Sequence, residues 1–206
     1  MTPRPPKDAV PSADHVFQTV ESDEIGYEPT HVDAFMERAR EAAEGRGELT
    51  PEQVRQARFA TVDGGYATDE VDDALDRLEE ALTAAERDAV VREHGDGEWD
   101  AALEESTREL LDRADRAPAE RFRRPTREDA PAYAVDDVDA LLDRLRATLG
   151  STDRVTAERG DAADRPLTAD DVRRSSFAEA EGRDGYDEAQ VDVYLDAAVD
   201  VLLRRG

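Results

Sequence analysis

The chain of 206 residues contains no cysteine. It can therefore form no disulfide, no thiolate nucleophile and no Cys-ligated zinc site, and nothing in it points to an oxidising compartment. Aromatic residues make up only 5% of the sequence, so any core has to be mostly aliphatic. Basic residues number 27 against 52 acidic ones, which leaves a net charge of −25. This charge argues against a nucleic-acid partner, because phosphate contacts need clustered Lys and Arg.

Long apolar runs are also missing. The most apolar stretch, residues 191–203, contains three aspartates, which excludes a membrane-spanning helix there. The N-terminal residues are rich in proline and lack the apolar segment of a signal peptide. We therefore expect a soluble, cytoplasmic protein.

Motifs that carry enzymatic chemistry are absent as well. His15, His31 and His94 share no metal-ligand spacing, and the chain has no Walker loop, dinucleotide fingerprint or Gly-x-Ser-x-Gly motif. The many carboxylates do not follow the pattern of a calcium-binding loop. We expect no enzyme activity, no cofactor and no metal site.

A fourfold internal repeat is the main feature that the sequence does have. In each copy a phenylalanine precedes a tyrosine, and Val-Asp follows that tyrosine after five residues. Apolar residues then recur four, seven and eleven positions after the valine, which predicts a helix with a narrow apolar stripe that packs on another helix. The phenylalanines of copies 1 to 4 are Phe17, Phe59, Phe122 and Phe177. The other repeat-defining residues are Tyr27 and Val32; Tyr66, Val71 and Leu75; Tyr133, Val138 and Leu142; and Tyr186, Val191 and Leu195.

The sequence also indicates where the helices begin. Long helices are predicted to begin near Glu28, Thr68, Asp136 and Asp187, with Pro29 in the first helical position of copy 1 and with Thr68 and Asp187 as N-caps. Copies 2 and 4 carry an additional short helix upstream, capped by Thr50 and Thr168. We therefore predict an all-α fold of seven to nine helices, in which repeats of short helix, loop and long helix pack as a bundle.

The copies suggest an internal duplication of a pair. Residues 1–14 are predicted to be a disordered tail, and residues 15–94 the first pair. A connecting helix is predicted within residues 95–120, and the second pair spans 121–206, with a mobile loop at 150–166.

At this level of detail the repeat resembles the N-terminal domain of DivIVA, a bacterial cell-division and pole-marking protein. The residues that carry the resemblance in copy 2 are Leu49-Thr50-Pro51, Phe59, Gly65-Tyr66, Val71-Asp72 and Leu75-Asp76, and in copy 4 Leu167-Thr168, Phe177, Gly185-Tyr186-Asp187, Val191-Asp192 and Leu195-Asp196. The tandem arrangement is similar to DivIVA-domain repeat proteins of high-GC Gram-positive bacteria. The resemblance implies coiled-coil dimerisation and lipid contact through a loop Phe beside basic residues. Here each stripe is expected to last only about three turns, so we expect the stripes to pair within the chain, as a monomer or small homo-oligomer.

Those pairings can be specified. Val71, Leu75 and Leu78 are expected to face Val32 and Met36 of the neighbouring copy. In the second pair, the stripe of Val191, Leu195 and Leu202 is expected to face the stripe of Val138, Leu142 and Leu145. The tyrosines either form a recognition surface or anchor each loop against its helix, and the Asp after each Val either pairs with a partner Arg or serves as a first-turn acid.

One basic stretch stands out in this acidic chain. It lies in copy 3, where the resemblance places a lipid-contacting Phe, and consists of Arg121, Phe122, Arg123, Arg124 and Arg127. Such a stretch either binds an anionic surface, weakly, or pairs with the protein's own carboxylates.

Two functions are therefore open: a non-enzymatic protein-interaction module or scaffold related to bacterial division or polar growth, or a peripheral membrane-surface module that uses the Phe/Arg loop.

Overall fold

The structure is a computed structural model that describes residues 4–12, 17–150 and 165–206. It divides the chain into two compact units, unit 1 (Met1–Trp99) and unit 2 (Asp100–Gly206). Unit 1 contains copies 1 and 2 of the repeat, and unit 2 contains copies 3 and 4. Most of the loop predicted at 150–166 lies outside the described residues.

Unit 1 is built on two long helices and one short one. Helix α1 begins with Pro29 in its first position, where a missing N–H has no cost, and the Glu28 side chain accepts from the Thr30 N–H. The short helix α2 has a capping box in which Thr50 and Gln53 satisfy each other's backbone N–H. Helix α3 has Thr68 as its first residue rather than as its N-cap, which is Ala67. The helices of this unit are α1 (Pro29–Ala43), α2 (Pro51–Arg55) and α3 (Thr68–His94), and a 3₁₀ helix spans Lys7–Ala9.

Unit 2 repeats this plan. The Thr168 hydroxyl caps the short helix in a second capping box, with Asp171, and the Asp187 carboxylate accepts from the Gln190 N–H at the start of the last helix. The helix that connects the two pairs follows Gly95, whose φ of 85° breaks the preceding helix. The connecting helix is α4 (Asp96–Ala114), which belongs to unit 2 from Asp100 onward. The other elements of this unit are α5 (Val135–Gly150), α6 (Ala169–Arg173), α7 (Glu188–Arg205) and a 3₁₀ helix over Gly182–Asp184.

The all-α prediction is wrong, because the loops between Phe and Tyr form two small antiparallel sheets. In unit 1, β1 pairs with β2; in unit 2, β3 lies between β4 and β5. In the described part of the chain every strand pair joins one copy to the other, so these sheets form only when two copies meet. The strands are β1 (Ile25–Tyr27), β2 (Thr61–Asp63), β3 (Pro131–Ala134), β4 (Glu179–Glu181) and β5 (Gly185–Asp187).

Each unit has its own hydrophobic core. Val32, Met36, Val71 and Leu78 are at most 1% exposed and lie in the unit 1 core, with Leu75 partly buried beside them. The core of unit 2 contains the copy 3 stripe, which is Val138, Leu142 and Leu145, together with Val191. Leu195 and Leu202 are partly buried against this core. The predicted stripes therefore do pack within one polypeptide.

Two segments differ from the sequence-based expectation. Helix α3 has 27 residues, which exceeds the three turns expected of each stripe. The predicted disordered tail contains an ordered part, because Val10 is 6% exposed and belongs to the core of unit 1.

Candidate interaction site

The tyrosine and aspartate of the repeat motif meet across copies. In unit 1 the Tyr66 hydroxyl of copy 2 donates to the Asp33 carboxylate of copy 1 at 3.3 Å. Asp72 of copy 2 lies beside Tyr27 of copy 1, where its negative charge adds to the effect of burial in raising the pKa of Tyr27. Each Tyr therefore uses the Asp that follows the Val of the other copy.

Unit 2 makes the same exchange. The Tyr186 hydroxyl donates to Asp139 Oδ1 at 3.0 Å, and the Tyr133 hydroxyl donates to Asp192 Oδ1 at 3.2 Å. The sequence predicted neither a Tyr–Asp pair nor its exchange between copies. A constant spacing of six residues between Tyr and Asp was the available signal, since it keeps both groups at the same end of each pair.

The phenylalanines follow the same rule. Phe17 of copy 1 packs against Tyr66 of copy 2, with ring centroids 5.5 Å apart, and Phe59 packs against Tyr27 at 5.4 Å. In unit 2 the rings of Phe122 and Tyr186 are 5.3 Å apart, and those of Phe177 and Tyr133 are 5.0 Å apart. These tilted and edge-to-face contacts are the favourable geometries for aromatic pairs.

Burial of these tyrosines changes their acidity. It raises the pKa of Tyr133 to about 12, with a further contribution from the negative charge of Asp192. Burial also raises the pKa values of Tyr27, Tyr66 and Tyr186 above the ordinary tyrosine value. The neutral hydroxyl is the form that donates to the carboxylate, so these Tyr–Asp pairs require neutral tyrosine.

The glycine before the tyrosine has a steric role. A Cβ on Gly26 would lie 2.5 Å from the backbone oxygen of Tyr66, because the two copies cross there at close range. In unit 2 a Cβ on Gly185 would lie 2.7 Å from the Cβ of Ala132. One of these two facing positions can carry a methyl group, and the other must then be glycine.

Arg121, the first candidate of the basic loop, is an internal residue. It is 3% exposed, and its Nη1 donates to the Asp139 carbonyl oxygen at 2.7 Å while its Nη2 donates to the Asp143 carboxylate. Its backbone N–H donates to the Tyr186 hydroxyl. Asp139 also accepts from the Ala119 N–H at 2.7 Å. This network covers the Tyr186–Asp139 pair and buries its carboxylate.

The other candidates of the loop are distributed between core and surface. Phe122 is 5% exposed and packs in the core, with the Arg113 guanidinium over its ring. Arg124 lies over the Tyr186 ring, 5.0 Å from the centroid. Arg127 pairs with Asp129 at 2.9 Å, and both of these side chains are exposed. Arg123 is exposed, and its carbonyl oxygen accepts from the Asp187 N–H.

An exposed apolar face on α7 was not predicted. Val193 is 70% exposed, and Ala189 and Ala197, one turn before and after it, are exposed too. The equivalent positions of α3 hold charged residues, namely Asp69, Asp73 and Arg77. Comparison of the copies column by column would have found this difference. We call these three residues of α7 the Val193 face.

The described residues contain neither a metal-binding cluster nor a membrane-spanning helix. Within residues 4–12, 17–150 and 165–206, no three His, Cys, Asp or Glu side chains are grouped so that they could hold a metal ion. In the same ranges no helix has the length and hydropathy needed to cross a membrane. Comparison of the chain with protein-family models, with curated proteins and with solved structures gives no match.

Proposed function

We propose that this chain is a non-enzymatic protein-interaction module of DivIVA-like repeats that acts as a cytoplasmic scaffold for bacterial division or polar growth. One observation carries the proposal. The motif residues that carry the resemblance make the same Tyr–Asp and Phe–Tyr exchanges in both units, such as Tyr66 with Asp33 and Tyr186 with Asp139. The motif residues thus hold two copies together, and we expect a partner to bind the outer faces of their helices.

The distribution of the basic loop favours a protein partner over a lipid surface. The lipid alternative needs an exposed Phe beside free arginines. Phe122 and Arg121 are both at most 5% exposed, and Arg121 already contacts two aspartates of its own chain. Insertion of Phe122 into a bilayer would therefore break the core of unit 2.

The Val193 face is the surface that we expect to contact the partner. Isolated exposed apolar residues are common, but here three uncharged positions form one face where the sister helix has three charges. Asp192 and Asp196 lie on α7 beside this face. A partner with a small apolar patch and basic residues around it fits this arrangement.

The test is capture from the native host with the full chain as bait, followed by mass spectrometry. The matched variant replaces Ala189, Val193 and Ala197 by the Asp, Asp and Arg found at the same positions of α3. It should fold, because α3 tolerates this set. We expect the wild-type chain to enrich division or polar-growth proteins and the variant to lose most of that enrichment.

A fluorescent fusion provides the second readout. We expect the wild-type fusion to concentrate at the septum or the poles and the variant to become diffuse. A diffuse wild-type fusion that captures no division or polar-growth protein would refute the proposal. A variant that localises and captures like the wild type would instead move the interface away from the Val193 face.

A further inference from the structure

In each unit a segment that precedes the first phenylalanine packs on the second long helix. In unit 1 this segment is residues 4–12, here called the strap, whose Val10 lies seven residues before Phe17. In unit 2 it is the end of α4, where Ala114 lies eight residues before Phe122. The 3₁₀ helix of the strap contacts α3, and α4 contacts the equivalent helix α7, where the Tyr194 hydroxyl donates to the Leu110 carbonyl oxygen at 3.0 Å.

The contacts of the α4 end are those of an amphipathic helix in an apolar groove. Leu110 and Ala114 are at most 4% exposed and belong to the core of unit 2, with Leu103 and Leu111 partly buried against it. Arg113 lies on the flank, its guanidinium over the Phe122 ring at 5.4 Å. Apolar residues one turn apart with a flanking cation are typical of helix-in-groove recognition.

The strap makes a smaller set of contacts on unit 1. Val10 and Pro5 are its buried side chains. Arg40 of α1 donates to the carbonyl oxygens of Pro11 at 3.2 Å and of Ser12 at 3.5 Å, and Arg4 lies against Gly45. A single 3₁₀ turn has no stability of its own, so the strap is held by these contacts and by its covalent link to the unit.

We propose that the surface of α1 and α3 under the strap is a binding site for an amphipathic helix of a partner protein, and that the strap covers it until the partner displaces it. The partner helix would present two apolar residues spaced like Leu110 and Ala114 and an arginine at the place of Arg113. Because the chain carries a net charge of −25, the outer face of that helix should be basic. This inference rests on the proposed function only in its biological purpose, which is the binding of a partner protein.

The test uses the purified full chain and two fluorescent peptides. The first has the sequence of residues 100–116, and in the second Glu104 and Glu105 are replaced by Arg. The variants that release the strap are Val10→Asp, which removes its apolar anchor, and Arg40→Ala, which removes its hydrogen bonds. The matched control is Asp8→Ala, at an exposed position of the same 3₁₀ helix.

We expect both release variants to bind the peptides at least about tenfold more tightly than the wild type and the control, by fluorescence anisotropy. The basic peptide should bind more tightly than the first, and Leu110→Asp in either peptide should abolish binding. Amide shifts in an NMR spectrum should map to α1 and α3.

Two results would overturn the inference. If Arg40→Ala and Val10→Asp bind no more tightly than the wild type, the strap does not cover a helix site. If the perturbed amides lie in α7, the peptide has replaced α4 instead. Should Val10→Asp lower the helix content, Arg40→Ala decides alone, because the Arg40 side chain donates to the strap and to Glu37 of its own helix. Peptide binding does not depend on any division partner, so it can fail or succeed independently of the proposed function.

Discussion

Replacement of Arg121 by alanine tests whether the basic loop serves folding or binding. The guanidinium is 3% exposed, so its loss leaves the Asp139 carboxylate, 3.7 Å from Nε, without its cation. Removal of one partner of a buried ion pair costs about 3–5 kcal/mol. Asp139 keeps its bonds from Tyr186 and Ala119, and Asp143 is 52% exposed and contributes little, so we expect a loss of about 3 kcal/mol.

Arg58 is the matched control, because it precedes Phe59 as Arg121 precedes Phe122. It is exposed, and its Nη1 donates to the carbonyl oxygens of Arg55 and Ala57. We expect Arg58→Ala to cost less than about 1 kcal/mol.

The assay is urea unfolding followed by far-UV circular dichroism, with hydrogen exchange to assign each transition to a unit. Arg121→Ala should destabilise unit 2 alone and leave the exchange of unit 1 unchanged. If Arg121→Ala costs no more than Arg58→Ala, or if it abolishes vesicle binding with unchanged stability, the structural role assigned to this arginine is incorrect.

Three further predictions concern the repeat. The pKa of Tyr133 is about 12 in the folded state against 10.0 for the free side chain. Its contribution to stability is therefore complete below pH 10 and is lost as the pH rises to about 12. Urea unfolding across this pH range should show the loss of stability, and the Tyr133→Phe variant should lose less. Leu142→Ala should lower the free energy of unfolding by about 2–5 kcal/mol, and Leu195→Ala by less, because Leu142 is fully buried and Leu195 only partly. Equal losses for the two variants would contradict this order. Thermal unfolding should show that Gly185→Ala destabilises the protein, because the new Cβ would lie 2.6 Å from the Tyr133 carbonyl oxygen. Gly97→Ala has open space around it and should be neutral or stabilising by up to about 1 kcal/mol.

Local sequence patterns were enough to predict the repeat and the helices. Helix starts depend on local chemistry, namely Pro29 at a first position and the hydroxyls of Thr50 and Thr168 at N-caps, and such contacts are formed within a few residues. The spacing of the apolar stripes likewise predicted that the two stripes of each unit share one core, because burial follows helical periodicity.

The sheets, the exchanged pairs and the burial of Arg121 depend on contacts between copies and could not be predicted from local sequence. Strands of three or four residues, one of them Glu-Ala-Glu, are too short for an alternating pattern to be distinctive, and they exist because another copy supplies their hydrogen bonds. The partner of each Tyr lies in a different copy, so no spacing within one copy could name it. From its sequence context Arg121 is expected at the surface. In the structure it is buried by contacts with Asp139 and Tyr186, which lie later in the chain. Burial of a charge depends on contacts that are distant in sequence, and these form only when the copies pair.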